Sequence, residues 1–404
     1  MNHQLVLGLG GCVDFEITWD AAVLSDLARE YRIGLADLDP TVPIQDERSL
    51  VCSLLGFLAA DQGGERFVSS SQIAIDLADH FGYRVSLGGT CVRAAMAIAK
   101  LGVPSLVHLV SIDDNVRRLL PTSVDYLCSA TEDSLDPHVI VQYPAGATVA
   151  MIDGQVRSTH PNRIIYVNDP PNRDLVLSED LPAALSEARA FLPAGFNVMT
   201  DPGLLRQRLA FLQAAMRRLP DEAVVFYEDS GFHDPALRGI VSREFSGRVD
   251  VHSLNEDELQ SYLDRPIDLL DAAQVKQALA DFFHDFSIAP TVVVHTKYWA
   301  LAFGRDPRQY CDALAAAIDL AGVRYRNGDD FTTDDLAAVR ALPVRPDGQR
   351  FAEELTDLMG TWVCCLPTRL IETATPTTIG LGDTFVGGFL AATLVSTPRT
   401  GTPS

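Results

Sequence analysis

Lysine is almost absent: in 404 residues only Lys100, Lys276 and Lys297 occur. None of the three follows the glycine run of a P-loop, which excludes a Walker-type nucleotide site. Any phosphate handled by this chain must be met by backbone amides, arginines or a metal ion. Cysteine is present but unpatterned. Cys12, Cys52, Cys91, Cys128, Cys311, Cys364 and Cys365 are odd in number and scattered, with no CxxC spacing. Neither a zinc site nor a disulfide framework is expected from them. No apolar run is long enough to span a membrane, and Met1 to Gly11 lacks a basic region followed by a cleavable apolar segment. A reducing cytoplasm is the expected home. Positive charge is also short: the net charge is -22, which argues against nucleic acid or an anionic membrane as partner. Local charge can oppose the global sign, so a phosphorylated substrate is still allowed.

What is there suits a globular protein, with 47% hydrophobic and 21% charged residues. The length fits a large α/β domain with a smaller one attached. Gln4 to Gly10 reads as a buried strand ending in glycines, with Asp14 beyond it. That aspartate is either a ligand for substrate hydroxyls at a strand's carboxyl end or an ordinary turn residue. Tyr83 to Leu87, Gly88-Gly89, a helix from Thr90 to Leu101 and a strand from Ser105 to Val110 have the outline of a β-α-β unit. His138 to Tyr143 and Thr148 to Ile152 read as a hairpin of an inserted sheet, followed by a strand from Arg163 to Asn168. Later strands end in Glu228, in Asn255 and in His295-Thr296, and Ser396 to Ser404 reads as a disordered tail.

The stretch around which the rest is organised is Thr377-Thr378-Ile379-Gly380-Leu381-Gly382-Asp383-Thr384-Phe385-Val386-Gly387-Gly388. Gly380 and Gly382 allow backbone N–H groups to converge just before an apolar helix, expected over Thr384 to Val395. Such amides at a helix N-terminus make a site for a transferring phosphoryl group. Asp383 there is either the general base for an attacking hydroxyl or simply the helix cap. The residues alone leave cap and catalyst about even.

Taken together, these signatures resemble the ADP-dependent sugar kinase family, which includes glucokinases and 6-phosphofructokinases. The resemblance rests on Pro367-Thr368-Arg369 with the Pro376 to Phe385 run, on Asn255 and Glu258 as an NxxE motif, and on His295-Thr296. Glu228 as the glutamate of an HxE motif and Asn162-Arg163 add to it. The resemblance implies a ribokinase-like three-layer α/β fold with a mostly parallel central sheet and a small β-rich lid. The large domain is expected over 1–14, 71–128 and 168–396, and the lid over 15–70 and 129–167. It also implies roles: Asp383 as base, Gly380, Leu381 and Gly382 as anion hole, and Glu228, Glu258 and Asp383 around Mg²⁺, largely through waters. Asn255, His295, Thr296, Gly382 and Arg163 would meet the nucleotide. Asp14, Glu65, Gly89, Thr90 and His138 would meet the sugar. The implied reaction moves the β-phosphoryl of ADP to a sugar hydroxyl, and Glu65 favours glucose or a relative over fructose 6-phosphate.

The chain also departs from that family's pattern. Cys12 stands where asparagine is usual, Thr90 where glutamine or asparagine follows the Gly-Gly pair, Gln142 where glutamate is usual, and Phe226 where HxE has histidine. Two rivals stand beside this reading: an ATP-dependent sugar or nucleoside kinase of the wider ribokinase group, which also has an NxxE and a GxGD, and a sugar- or nucleotide-sensing protein that has lost turnover, which these departures motivate.

Overall fold

The computed structural model describes residues 4–232, 234–374 and 376–395. The tail expected to be disordered lies outside the described residues.

Short apolar runs separated by helices build a nine-stranded sheet. Across it lie Val363–Pro367, Trp299–Gly304, Thr291–His295, Val251–Asn255, Val224–Glu228, Ala190–Leu192, Leu5–Leu7, Ser105–Leu109 and Val124–Cys128. All neighbours are parallel except at one edge, where Trp299–Gly304 runs antiparallel to both of its partners. Successive side chains of a strand point to opposite faces, and here both faces are covered. Leu5 and Leu7 join one core with the helices Thr90–Ala99, Cys311–Asn327 and Leu381–Val395, while Val6 joins a core on the other side with Pro202–Met216. That two-sided burial is why these strands read as unbroken apolar runs rather than alternating ones.

A second, mixed sheet has the order Gly64–Phe67, Asn162–Val167, His138–Tyr143, Cys12–Ile17, Tyr83–Gly88. One face is apolar and the other mostly polar, with Ile140 and Ile165 among the polar residues. Val13, Phe15, Ile17, Val139, Val141, Ile164 and Tyr166 belong to a buried core with residues of the helices Ala21–Glu30, Glu47–Ala60 and Ser71–Asp79. The other face carries Cys12, Asp14, Glu16, His138, Gln142, Arg163 and Glu65, as the registers Asp14↔His138, Arg163↔Gln142 and Glu65↔Ile165↔Ile140 require.

Several sequence expectations are corrected. Tyr83–Gly88 lies in this smaller sheet and Ser105–Leu109 in the larger one. Gly88-Gly89 therefore carries the chain between sheets and does not close a β-α-β unit of one sheet. Asp14 is buried inside a strand, not in a turn after the first one. His138–Tyr143 pairs with Asn162–Val167 and Cys12–Ile17, and the hairpin is instead Thr148–Ala150 with Gln155–Arg157. Cys311 and Cys364 form a disulfide. Sequence gave no sign of it, because the two meet only where the helix starting at Cys311 reaches the edge strand Val363–Pro367.

Candidate active site

The helix Leu381–Val395 starts three residues earlier than expected, so Asp383 sits in its first turn and is not its cap. Gly380 precedes it with φ +69, a left-handed conformation that favours glycine. The Gly380 carbonyl accepts from both Thr384 N (3.0 Å) and Thr384 Oγ1 (2.8 Å), which fixes the first turn. Arg324 Nε holds the Ile379 carbonyl at 2.9 Å. Gly387 and Gly388 let this helix lie closely on its neighbours, since a methyl group on either would fall within 3.0 Å of Ala94 or Ala317 backbone.

Arg93, in the first turn of the helix Thr90–Ala99, joins two of the expected site residues. It is 5% exposed. Its guanidinium donates to Asp14 Oδ2 at 2.6 Å and lies 4.0 Å from Asp383 Oδ2. One buried cation thus ties the smaller sheet's aspartate to the carboxylate at the glycine turn. Gly89 caps the same helix with φ +88, and a methyl group there would sit 3.0 Å from Gly11 Cα. Gly88 leaves the space that Asp14 and Cys12 fill.

Asp14 anchors a polar cluster. Cys12 Sγ donates to Asp14 Oδ1 at 3.3 Å, His138 Nδ1 lies 4.0 Å from the same oxygen, and His138 Nε2 meets Asp169 Oδ2 at 3.1 Å. Asn172 holds Asp169 Oδ2 (2.7 Å) and bridges both backbone groups of Gly11. Burial, then the charge of Asp14, pushes the Cys12 thiol up to about 12. Burial opposes a charge on His138, but Cys12 and Asp169 more than offset it and hold its pKa well above the usual histidine value.

Three strand ends of the larger sheet converge near Gly382, where an added methyl group would lie 3.5 Å from His295 Cε1. His295 Nε2 lies 3.1 Å from Glu228 Oε1, and its ring stacks on Phe385 at 4.6 Å. Burial works against a charged His295, yet its bond to Glu228 and the nearby Glu258 and Glu256 raise its pKa. Asn255 and Glu258 form a capping box: Asn255 Oδ1 accepts from Asp257 N and Glu258 N, and Asn255 N donates to Glu258 Oε2 at 2.8 Å. The NxxE motif is therefore first a helix start, which aims the Glu258 carboxylate. Burial, then Glu228 and Asp229, push Glu258 up to about 8. Glu228 Oε2 is buried with no hydrogen-bond partner among the described residues. Thr296 uses its hydroxyl within the tight turn to Trp299, accepting two backbone N–H groups and donating to the Trp299 carbonyl.

Not every expected residue joins this cluster. Arg163 is exposed on the smaller sheet, on the face that holds Asp14 but toward its rim. Glu65 shares that face two registers away. Phe226 turns into the core against Phe389 at 4.9 Å, so its departure from the motif lies beneath the site rather than in it. Sequence reasoning missed Arg93, Asp169, Asn172 and Asp229. Arg93 did leave a signal, as the lone charge inside an alanine-rich helix that could only be buried if paired. Asp229, whose Oδ2 accepts from Tyr262 and faces His252, left no signal, because its partners come from the next strand and helix.

A family model described as the ADP-specific phosphofructokinase/glucokinase conserved region matches residues 3–392. No curated protein matches the sequence. Among solved structures, a phosphofructokinase from Pyrococcus horikoshii OT3 with AMP is 16% identical, with a TM-score of 0.78 over 98% of each chain. The last common ancestor of the ADP-dependent phosphofructokinases from Methanosarcinales is 15% identical, with a TM-score of 0.77 over 99% of this chain and 95% of that one. An ADP-dependent kinase in complex with fructose-6-phosphate and ADPβS is 14% identical, with a TM-score of 0.73 over 99% and 95%.

Proposed function

Because the chain belongs to the ADP-specific phosphofructokinase/glucokinase family, whose members transfer phosphate to a sugar hydroxyl, we propose that it moves the β-phosphoryl of ADP to an unphosphorylated hexose, leaving AMP. The observation that carries the reading is Arg93, held between Asp14 and Asp383. It keeps a carboxylate suited to sugar hydroxyls and a carboxylate suited to proton removal on either side of one buried cation. Asp383 takes the proton of the attacking hydroxyl. The N–H groups of Gly380, Leu381 and Gly382 stabilise the charge that develops on the transferring group. Asn255, His295, Thr296, Gly382 and Arg163 meet the nucleotide, and Asp14, Glu65, Gly89, Thr90 and His138 meet the sugar.

The residues fit Mg²⁺. Glu228 offers a buried oxygen without a partner, Glu258 faces it, and both are oxygen donors of the kind this ion takes, mostly through water. Glu228, Glu258 and Asp383 would hold it, and when bound it would offset phosphate charge.

The acceptor preference follows from charge. The smaller sheet's face carries Asp14, Glu16 and Glu65, with Asp169 behind His138. The cations of this face are paired or peripheral: Arg93 is held by Asp14, Arg84 by Glu16 and His138 by Asp169, and Arg163 stands exposed at the rim. A 6-phosphate would meet carboxylates there, whereas a neutral hexose finds hydrogen-bond acceptors.

The test is AMP formation by the purified protein with Mg²⁺ and ADP, set against ATP, over free and phosphorylated hexoses, pentoses and nucleosides. AMP with ADP and a free hexose is expected. Preference for fructose 6-phosphate would overturn the acceptor assignment, ADP release from ATP the donor, and silence across the panel the catalytic reading itself.

A further inference from the structure

Among the described residues, one set of three metal-ligating side chains has donor atoms all within 4.8 Å of one another: Cys12, Asp14 and His138. It is not the acidic set proposed for Mg²⁺. We propose that these three residues bind a thiophilic divalent cation of the zinc type, on the polar face of the smaller sheet.

The donor set is the first argument. A thiolate, an imidazole nitrogen and one carboxylate oxygen suit a borderline-soft ion and are poor ligands for Mg²⁺, which takes oxygen. In a tetrahedral site with bonds of about 2.0–2.3 Å, donor atoms stand about 3.5 Å apart. Here Cys12 Sγ is 3.3 Å and His138 Nδ1 4.0 Å from Asp14 Oδ1. Closing these two pairs around an ion takes up to about 0.7 Å, and the third pair, Cys12 Sγ and the His138 nitrogen, starts within 4.8 Å.

The second argument is how each donor is aimed. His138 directs Nε2 to Asp169 at 3.1 Å, which leaves Nδ1 facing Asp14. A ligating histidine almost always donates its other N–H to a carboxylate, a backbone carbonyl or water. Asp169 is itself fixed by Asn172. Asp14 has one oxygen on Arg93 and turns the other to Cys12 and His138. The strand register Asp14↔His138 and the two-residue step from Cys12 to Asp14 put all three on one face. Gly88 opposite them has no side chain to fill the space: a methyl group there would lie 2.5 Å from both Cys12 Sγ and Asp14 Oδ2.

Binding replaces two protons: the Cys12 S–H and His138 Nδ1–H bonds give way to bonds to the metal and both protons go to solvent, while His138 Nε2–H keeps its bond to Asp169. Three protein ligands leave a fourth position open to water or another small ligand. An ion there takes the Asp14 oxygen that a sugar hydroxyl would use, so metal and acceptor exclude each other. That last consequence rests on the proposed kinase function; the metal site does not.

The test titrates Co²⁺ into metal-free protein with Mg²⁺ in excess and no sugar or nucleotide. The readouts are thiolate-to-cobalt charge-transfer absorption and calorimetric stoichiometry. One equivalent with a thiolate band is expected, unchanged in Cys128→Ser. Cys12→Asn should lose the band and bind at least ten-fold more weakly while its melting curve stays close to the parent's. Should Cys12→Asn fail to fold, Cys12→Ser and His138→Gln are read the same way. No band in the parent protein, or an equal band and affinity in the Cys12 variants, would overturn the proposal. Neither result depends on whether the protein phosphorylates anything.

Discussion

At the scale of single residues, the proposed chemistry turns on Arg93 and Asp383. Asp383 occupies the third position of its helix, with Arg93 Nε 4.0 Å away. Asp383→Asn keeps the size and the hydrogen-bonding shape but cannot accept the acceptor's proton. If Asp383 is the base, turnover with ADP falls by at least about 100-fold, while ADP affinity measured by calorimetry stays within a few-fold. Retention of most of the turnover would remove Asp383 from that role. Much of this site was legible in the sequence, because the glycine turn and its aspartate are local features. Arg93 was only half legible. A lone charge in the apolar helix Thr90–Ala99 announces a buried partner, but the partners come from positions 14 and 383, and only the fold says so.

At the scale of elements, the starts of two helices meet. Gly380 leads into one of them in a left-handed conformation, and a methyl group there would lie 2.8 Å from Arg93 Cδ. Gly382 is different: it lies within the helix, and a methyl group on it would make an ordinary 3.5 Å contact with His295 Cε1. Gly380→Ala is therefore expected to destabilise the protein by about 1–2 kcal/mol from the backbone alone, with a further loss from displacing Arg93. Gly382→Ala should be neutral or slightly stabilising, because alanine is the better helix former. Urea unfolding of the two variants checks this, and equal midpoints would show that the turn is not held as described. The strands of the larger sheet were readable for the same reason that they are buried: both faces are apolar. Their partners were not. Tyr83–Gly88 looks like any strand before a glycine turn, and only tertiary packing assigns it to the smaller sheet. The NxxE motif was seen as chemistry, whereas its first task is the capping box of Glu256–Leu263.

At the scale of the molecule, stability depends on buried groups that must stay uncharged or paired. His108 is fully buried in Ser105–Leu109, accepts from Ser178 N at 2.9 Å, and has no partner for Nδ1 among the described residues. Burial pulls its pKa down to about 4. In the unfolded chain it returns to about 6.5. Between these values the unfolded state binds more protons, so this histidine makes stability rise with pH from about 4 to 6.5 and adds nothing further above that window. Glu258 slopes the other way. Its folded pKa is raised to about 8, so stability is lost as pH climbs from its unfolded value through that point. His138 and His295, also raised, slope the same way as Glu258, so the part of His108 shows only by difference. His108→Gln keeps an acceptor for Ser178 N but does not titrate. The parent protein's advantage over this variant in urea unfolding should be constant above pH 7. It should then shrink by about 3 kcal/mol on going to pH 4, the energy of a shift of this size. An advantage that stays the same at both ends would mean that His108 is protonated in the folded state, and that its surroundings in the larger sheet are not the dry ones described.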